Sequence, residues 1–402
     1  MKLGLNTRQS SRLVVLLAIA LLSAWPIIKA VRRSQLQTLV KRCQEAVQQQ
    51  DWILATPLAE EWASRAPDDA EAWITLADIA KAQGDLEATA ECLRRIPSTD
   101  TKYVQMQLLR ADLMLNALQR PYDAIDTLKM VLAAEPGNPV AHQRIIYIYS
   151  MTMQREALAQ QIREAIRHRA EPPEAYGYLL AIPNLIFSDG YLRVEKWLKS
   201  SPEDETLQVA YAIFRERTNA GRGIRDFGTG QSESPGETPF EAALKQYPNN
   251  LELRAYRIDS IIAQADMPAL SQALQNLPPN AERDSRYWRF IATYQDSQRL
   301  PQDAAESLNK AIELHPLDWK AHHEMGTIAR VLGRTEEAIR HADLGARGKL
   351  LERRVFELAN ASQADPPLLR AILRYAKDCG DADAVSGLTH RLQEMDELDG
   401  PE

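Results

Sequence analysis

The stretch SRYWRFIATYQDSQRLPQDAAESLNKAIELHPLDWKAHHEMGTIARVLGRTEEAIRHADLGA, residues 285–346, carries one pattern twice. Trp288, Ile291, Ala292, Ala304, Leu308 and Ala311 are matched 34 residues later by His322, Met325, Gly326, Ala338, Ala342 and Gly345. The chain then leaves the pattern before a second proline in the place of Pro316. A fixed period of this length marks a repeated helical hairpin.

Each unit reads as two helices. Trp288, Ile291 and Ala292 fall on one stripe at helical spacing, and Asp284 or Ser285 can cap the start. Pro301 cannot continue that helix, so it ends near Arg299-Leu300. The same proline suits the first position of the next helix, whose apolar face is Ala304, Leu308, Ala311 and Ile312. Pro316 closes it and Asp318 caps the following helix. In the second unit Gly333 reads as the turn and Thr335 as the cap, with Glu336 and Glu337 at the helix N-terminus. Small residues at Ala292, Ala304, Ala311, Gly326 and Ala338 allow two antiparallel helices to approach closely. One hairpin cannot bury its own stripe, so it needs stacked neighbours.

This arrangement resembles the tetratricopeptide repeat (TPR) family, with departures at His322, Gln295 and Ala329. The resemblance implies an all-α, right-handed superhelical solenoid of antiparallel helix hairpins, which binds a partner in a concave groove lined by the first helix of each repeat. Mapped onto this chain, the groove positions are Ile74, Asp78, Leu109, Leu113, Tyr147 and Met151 early on. Later they are Arg286, Arg289, Thr293, Lys320, His323 and Arg330. An apolar groove giving way to a basic patch is thus expected, suited to a segment apolar at one end and acidic at the other. The specialised clamp for chaperone C-termini is not expected, because Val40 and Gln44, or Ile74 and Asp78, do not match its Lys and Asn.

Followed along the chain, the phase organises most of it. Residues 36–170 read as N-terminal TPR units, with clear matches at Trp73, Leu76, Ala77 and Gly84. Residues 171–250 are irregular: Pro183 interrupts a first helix, and the Gly-, Ser- and Pro-rich run 219–239 reads as an inserted flexible loop. Within the next in-phase unit, Arg254 and Arg257 stand where apolar residues are usual. Residues 251–352 are C-terminal units, and 353–402 provide capping helices and an acidic tail.

Before the repeats, a short basic tail (1–12) precedes an uncharged run, Leu13 to Ile28. Extended to Ala30 it has 18 residues, which as a helix spans about 27 Å and suits a single transmembrane anchor at 13–30. A cleaved signal peptide is the rival, but neither Ala24 nor Ala30 completes a good small-x-small site. Basic residues on the two sides of the run are nearly balanced, and the short basic tail tips the repeats towards the extracytoplasmic side.

Residues 1–33 hold six basic and no acidic residues, so the remainder has 42 basic against 55 acidic, a net charge of −13. That balance argues against nucleic acid as a partner. Three scattered cysteines, Cys43, Cys92 and Cys379, form no C-x-x-C pair, and the seven histidines show no ligand spacing, so no metal or cofactor is expected. Asp226-Phe227-Gly228 has no accompanying kinase motif, and no P-loop, H-E-x-x-H or G-x-S-x-G is present. The expectation is a non-enzymatic, membrane-anchored scaffold for other proteins or peptides. Its alternative is a secreted or periplasmic binding protein for a nonprotein envelope ligand.

Overall fold

The computed structural model describes residues 29–185, 190–225, 238–358 and 364–398, with backbone alone at 219–225 and 398. The expected anchor and the basic tail before it fall almost wholly outside these residues. Among the described residues no helix is long and apolar enough to cross a membrane. All regular elements described are helical.

The chain divides into two compact units, one ending at Leu118 and one starting at Gln119. The first contains α1 (29–48), α2 (Trp52–Arg65), α3 (Ala70–Ala82), α4 (Leu86–Arg94) and α5 (Tyr103–Asp112), which runs into a π-helical turn at Leu113–Ala117. Its core is built from Cys43, Ala55, Ala59, Trp62 and Ile79, with Leu93, Ile96 and Tyr103 in an adjoining cluster.

The second unit starts with α6 (Pro121–Ala134), α7 (Pro139–Met151), α8 (Arg155–Arg167), α9 (Glu174–Ala181), α10 (Gly190–Leu198), α11 (Glu205–Arg225) and α12 (Pro239–Gln246). It continues with α13 (Leu251–Ala263), α14 (Met267–Gln275), a 3-10 turn (Pro279–Arg283), α15 (Ser285–Ser297) and α16 (Pro301–Leu314). The last elements are α17 (Trp319–Val331), α18 (Thr335–Phe356), α19 (Pro366–Cys379) and α20 (Ala382–Leu398). Helices α15 and α16, α17 and α18, and α19 and α20 pack as consecutive pairs.

Two local devices recur in step with the repeat. The residue two places before α2, α4, α6, α8, α14, α16, α18 and α20 has positive φ: Gln50, Gly84, Gln119, Met153, Ala265, Arg299, Gly333 and Gly380. That left-handed residue reverses the chain in a tight turn, and only three of the eight are glycine. The second device is a side-chain hydrogen bond from the fourth residue of a first helix to the carbonyl six residues earlier. Trp73 donates to Pro67 at 2.9 Å, His142 to Pro136 at 2.8 Å, Trp288 to Glu282 at 2.9 Å and His322 to Pro316 at 2.8 Å. Gln208 and Arg254 do the same to Pro202 and Pro248. His322 and Arg254, departures when judged by hydrophobicity, therefore share a donor function with the tryptophans. Each satisfies a carbonyl in the turn between units.

Close helix approach explains the small residues. At Gly345 an added Cβ would lie 2.8 Å from His323 Cα, and at Gly326 it would lie 2.8 Å from the Ala342 backbone nitrogen. Helices α17 and α18 thus meet at backbone distance there. Ala292, Ala304 and Ala311 are buried as expected.

Three expectations need correction. Thr335 is the first residue of α18 rather than its cap; the N-cap is Arg334, which makes no side-chain capping bond. Helix α11 runs to Arg225, six residues past the start expected for the inserted loop, and 226–237 lie outside the described residues. In the second unit, packing is also not confined to successive hairpins. Helix α20 packs on α8, and α18 packs on α9. One core joins Ile162, Tyr176 and Leu179 to Leu351, Ile372, Tyr375 and Leu388. A one-dimensional stack has contacts only between neighbouring repeats, so the C-terminal helices do more than cap an end.

Candidate functional site

Two cavities in the second unit gather its charged side chains. The smaller, about 510 Å³, opens beside the first turns of α17 and the middle of α18. Three sequence-derived groove residues line it: Arg289, Lys320 and His323. Trp319, Glu324, Gly345, Ala346 and Lys349 complete the wall. The ammonium groups of Lys320 and Lys349 each lie 5.8 Å from the centroid of the Trp319 ring. Gly348 leaves room for the Trp319 base, since a Cβ there would collide with Trp319 and Tyr375.

The buried side of this cavity is not an open basic patch. Arg289 is only 7% exposed, and its Nη2 donates to Glu324 Oε1 at 2.6 Å. Burial works against the Arg289 charge, but Glu324 and Asp318 outweigh it and raise its pKa. Burial raises the Glu324 pKa, although Arg289 opposes that shift. Lys320 is half-buried, and burial followed by repulsion from Arg289 lowers its pKa. Its Nζ donates to Asn184 Oδ1 at 2.6 Å, and Asn184 Nδ2 donates to Glu352 Oε1 at 2.6 Å. Arg217 donates to the carbonyls of Asn184 and Leu185 at 2.7 and 3.0 Å. The chain after α9, where Pro183 stops the helix, therefore meets the start of α17. One expected groove residue, Lys320, is thereby engaged by this protein's own irregular centre.

His323 and Lys349 are exposed at the opening, while Arg330 is exposed on α17 outside both cavities. Among the early groove positions, Ile74 is half-buried, Leu109 is 42% exposed and Leu113 begins the π-helical turn, all in the first unit. In the second unit Met151 is buried, and Tyr147 stands edge-on to Trp197 with ring centroids 6.3 Å apart. Met151 thus belongs to the core rather than to an open apolar groove.

The larger cavity, about 750 Å³, contains only Arg286 of the expected residues. Arg286 is 4% exposed and clamped between Asp284, at 2.6 Å, and Glu252, at 2.6 Å. Arg155 approaches the same Glu252 through Nε at 3.0 and 3.1 Å. Burial opposes ionisation of Asp284, but Arg286 outweighs it and holds the carboxyl below its ordinary range. Sequence reasoning missed Arg155, Glu252 and His315, and read Asp284 only as a helix cap, which it is. The available signal was a charged residue in the first turn or cap of several helices, which in isolation reads as ordinary helix-end chemistry.

No protein-family model matches the chain, and no curated protein does. Solved structures resemble it only distantly. The Cut9-Hcn1 hetero-tetramer of APC/C is 15% identical, with 90% of this chain and 79% of that chain covered and a TM-score of 0.32. Yeast Tom70 is 14% identical, covering 90% and 77%, with a TM-score of 0.26. A tetratricopeptide repeat protein from Parabacteroides merdae is 14% identical, covering 61% and 93%, also at 0.26.

Proposed function

We propose that this chain is a non-catalytic TPR scaffold that docks a protein segment carrying acidic and apolar side chains. The observation that carries this reading is Trp319 with Lys320 and Lys349 each 5.8 Å from its ring, beside exposed His323 and the small residues Gly345 and Ala346. Carboxylates of the segment meet the two ammonium groups, and an apolar side chain covers the indole. Arg289 and Arg286 do not serve as free contacts, because their charges are already neutralised. They fix the helices that present the cavity. In the same reading residues 13–30 anchor the protein in a membrane, with the repeats on the extracytoplasmic side; the uncharged run Leu13 to Ile28 supports this.

A defined peptide array, graded in acidic and apolar content at constant length, tests the docking reading. Acidic-apolar peptides should bind the full chain best, with signal falling at high salt. Equal binding of acidic and basic peptides would contradict it. Extraction of membranes with alkaline carbonate tests the anchor, since an anchored chain stays in the pellet.

A further inference from the structure

Four helices start at the larger cavity. Arg155, Glu156 and Ala157 from the first turn of α8 line it, as do Thr206 from α11, Leu251 and Glu252 from α13, and Ser285 and Arg286 from α15. Each helix brings the positive end of its dipole and backbone N–H groups. Asn250 and Asp284 cap α13 and α15 with their own side chains, whereas Gln154 makes no side-chain capping bond to α8.

Helix ends alone do not make a site. Here they coincide with one buried, unpartnered donor on the cavity wall. Arg155 is 7% exposed, and its Nη1 has no hydrogen-bond partner although Nε is held by Glu252. A buried donor without an acceptor is costly and marks a place for a missing partner. The surrounding charge has a sign. Arg155, Arg163, Arg283 and Arg286 line the wall, against three carboxylates, Glu156, Glu252 and Asp284. At the rim Arg283 is exposed.

We propose that this cavity binds a phosphate-class oxyanion, either free or carried by a small organic molecule. A tetrahedral anion presents oxygens to donors converging from several helices, which a planar carboxylate with two oxygens does less well. The remaining wall includes Met153, Ile182, Pro183, Val209, Leu251 and Leu314, and a cavity of about 750 Å³ has room for an apolar body attached to the anion. The site lies apart from the docking cavity, and neither proposal depends on the other.

The test is calorimetric titration of the full chain with inorganic phosphate, butyl phosphate and acetate at one ionic strength. The probes are repeated on Arg155→Met and Arg283→Gln, with circular dichroism as the folding control. The proposal expects saturable binding of a phosphate species, at least tenfold tighter than acetate. It expects a tenfold or greater loss in Arg155→Met and a loss of about threefold in Arg283→Gln. Tighter binding of butyl phosphate than of phosphate would support a carried ester, and equal binding would support the free ion. Phosphate no better than acetate overturns the proposal, as does unchanged affinity in a folded Arg155→Met. If Arg155→Met fails to fold, unchanged affinity in Arg283→Gln overturns it.

Discussion

Arg163 holds both carboxylate oxygens of Asp381 at 3.0 Å, joining α8 to the start of α20 across 218 residues of chain. Asp381 is 2% exposed, and Arg163 holds its pKa down although burial opposes ionisation. Arg163→Met leaves that carboxylate buried without its cation. A loss of about 3 kcal/mol in urea unfolding is expected. The double variant Arg163→Met, Asp381→Leu should recover part of it. Unchanged stability in Arg163→Met would mean that α20 does not dock on α8.

Acid should weaken the second unit through its buried histidines. His322 Nδ1 lies 2.9 Å from His341 Nδ1, and His322 Nε2–H donates to Pro316. Neutral His322 then offers only a lone pair at Nδ1, so His341 donates to it. Burial lowers the pKa of His322, and that of His341 falls to about 4 through burial, with His322 and Arg340 adding to the shift. His142 and His315 are lowered as well, mainly by burial. The folded state therefore binds fewer protons than the unfolded chain. Each histidine contributes no penalty above the unfolded value near 6.5. Below it, each costs up to about 1.4 kcal/mol per pH unit until the folded value is reached. Denaturation midpoints measured from pH 7.5 to 4.5 should fall below about pH 6.5, and less steeply in His341→Gln. A flat profile would contradict the buried pair.

The left-handed turn residues predict a stabilising change. Arg299 has φ of 59° at the position where Gly333 has 71° one repeat later. Arg299→Gly should stabilise by about 0.5–1 kcal/mol, the relief of left-handed strain exceeding the entropy given to the unfolded chain. Gly333→Ala should lose a similar amount. Thermal unfolding of the two variants checks both signs.

Packing at the repeat core sets the largest expected loss. Ala311 has no exposed surface, so Ala311→Asp places a carboxylate among packed helices at a cost of several kcal/mol. Gly345→Ala meets the His323 backbone and should cost about 1–3 kcal/mol. Calorimetric unfolding in which Ala311→Asp matches the parent would show the 34-residue register to be misplaced.

The 34-residue spacing made the hairpins legible because turn, cap and small residues each act locally. Pro301 starts α16, Gly333 turns with positive φ, and Asp318 caps α17, as their chemistry requires. His322 and Arg254 were harder to read: their role is hydrogen bonding, and a hydrophobic pattern does not register it. Arg286 and Arg289 were misjudged for a related reason. Helical spacing puts them on the groove side, but their neutralising partners Glu252 and Glu324 come from other helices. The return of α20 onto α8 depends on contacts over more than 200 positions, as between Arg163 and Asp381, and no local pattern encodes it.

Fluorescence anisotropy of a labelled peptide of about a dozen residues, alternating Glu and Leu, tests the docking claim most directly. Titration compares the parent chain with Lys320→Gln, Lys349→Gln. The account predicts saturable binding to the parent and at least tenfold weaker binding to the double variant, with unfolding midpoints nearly the same. Equal affinity for both proteins would contradict it.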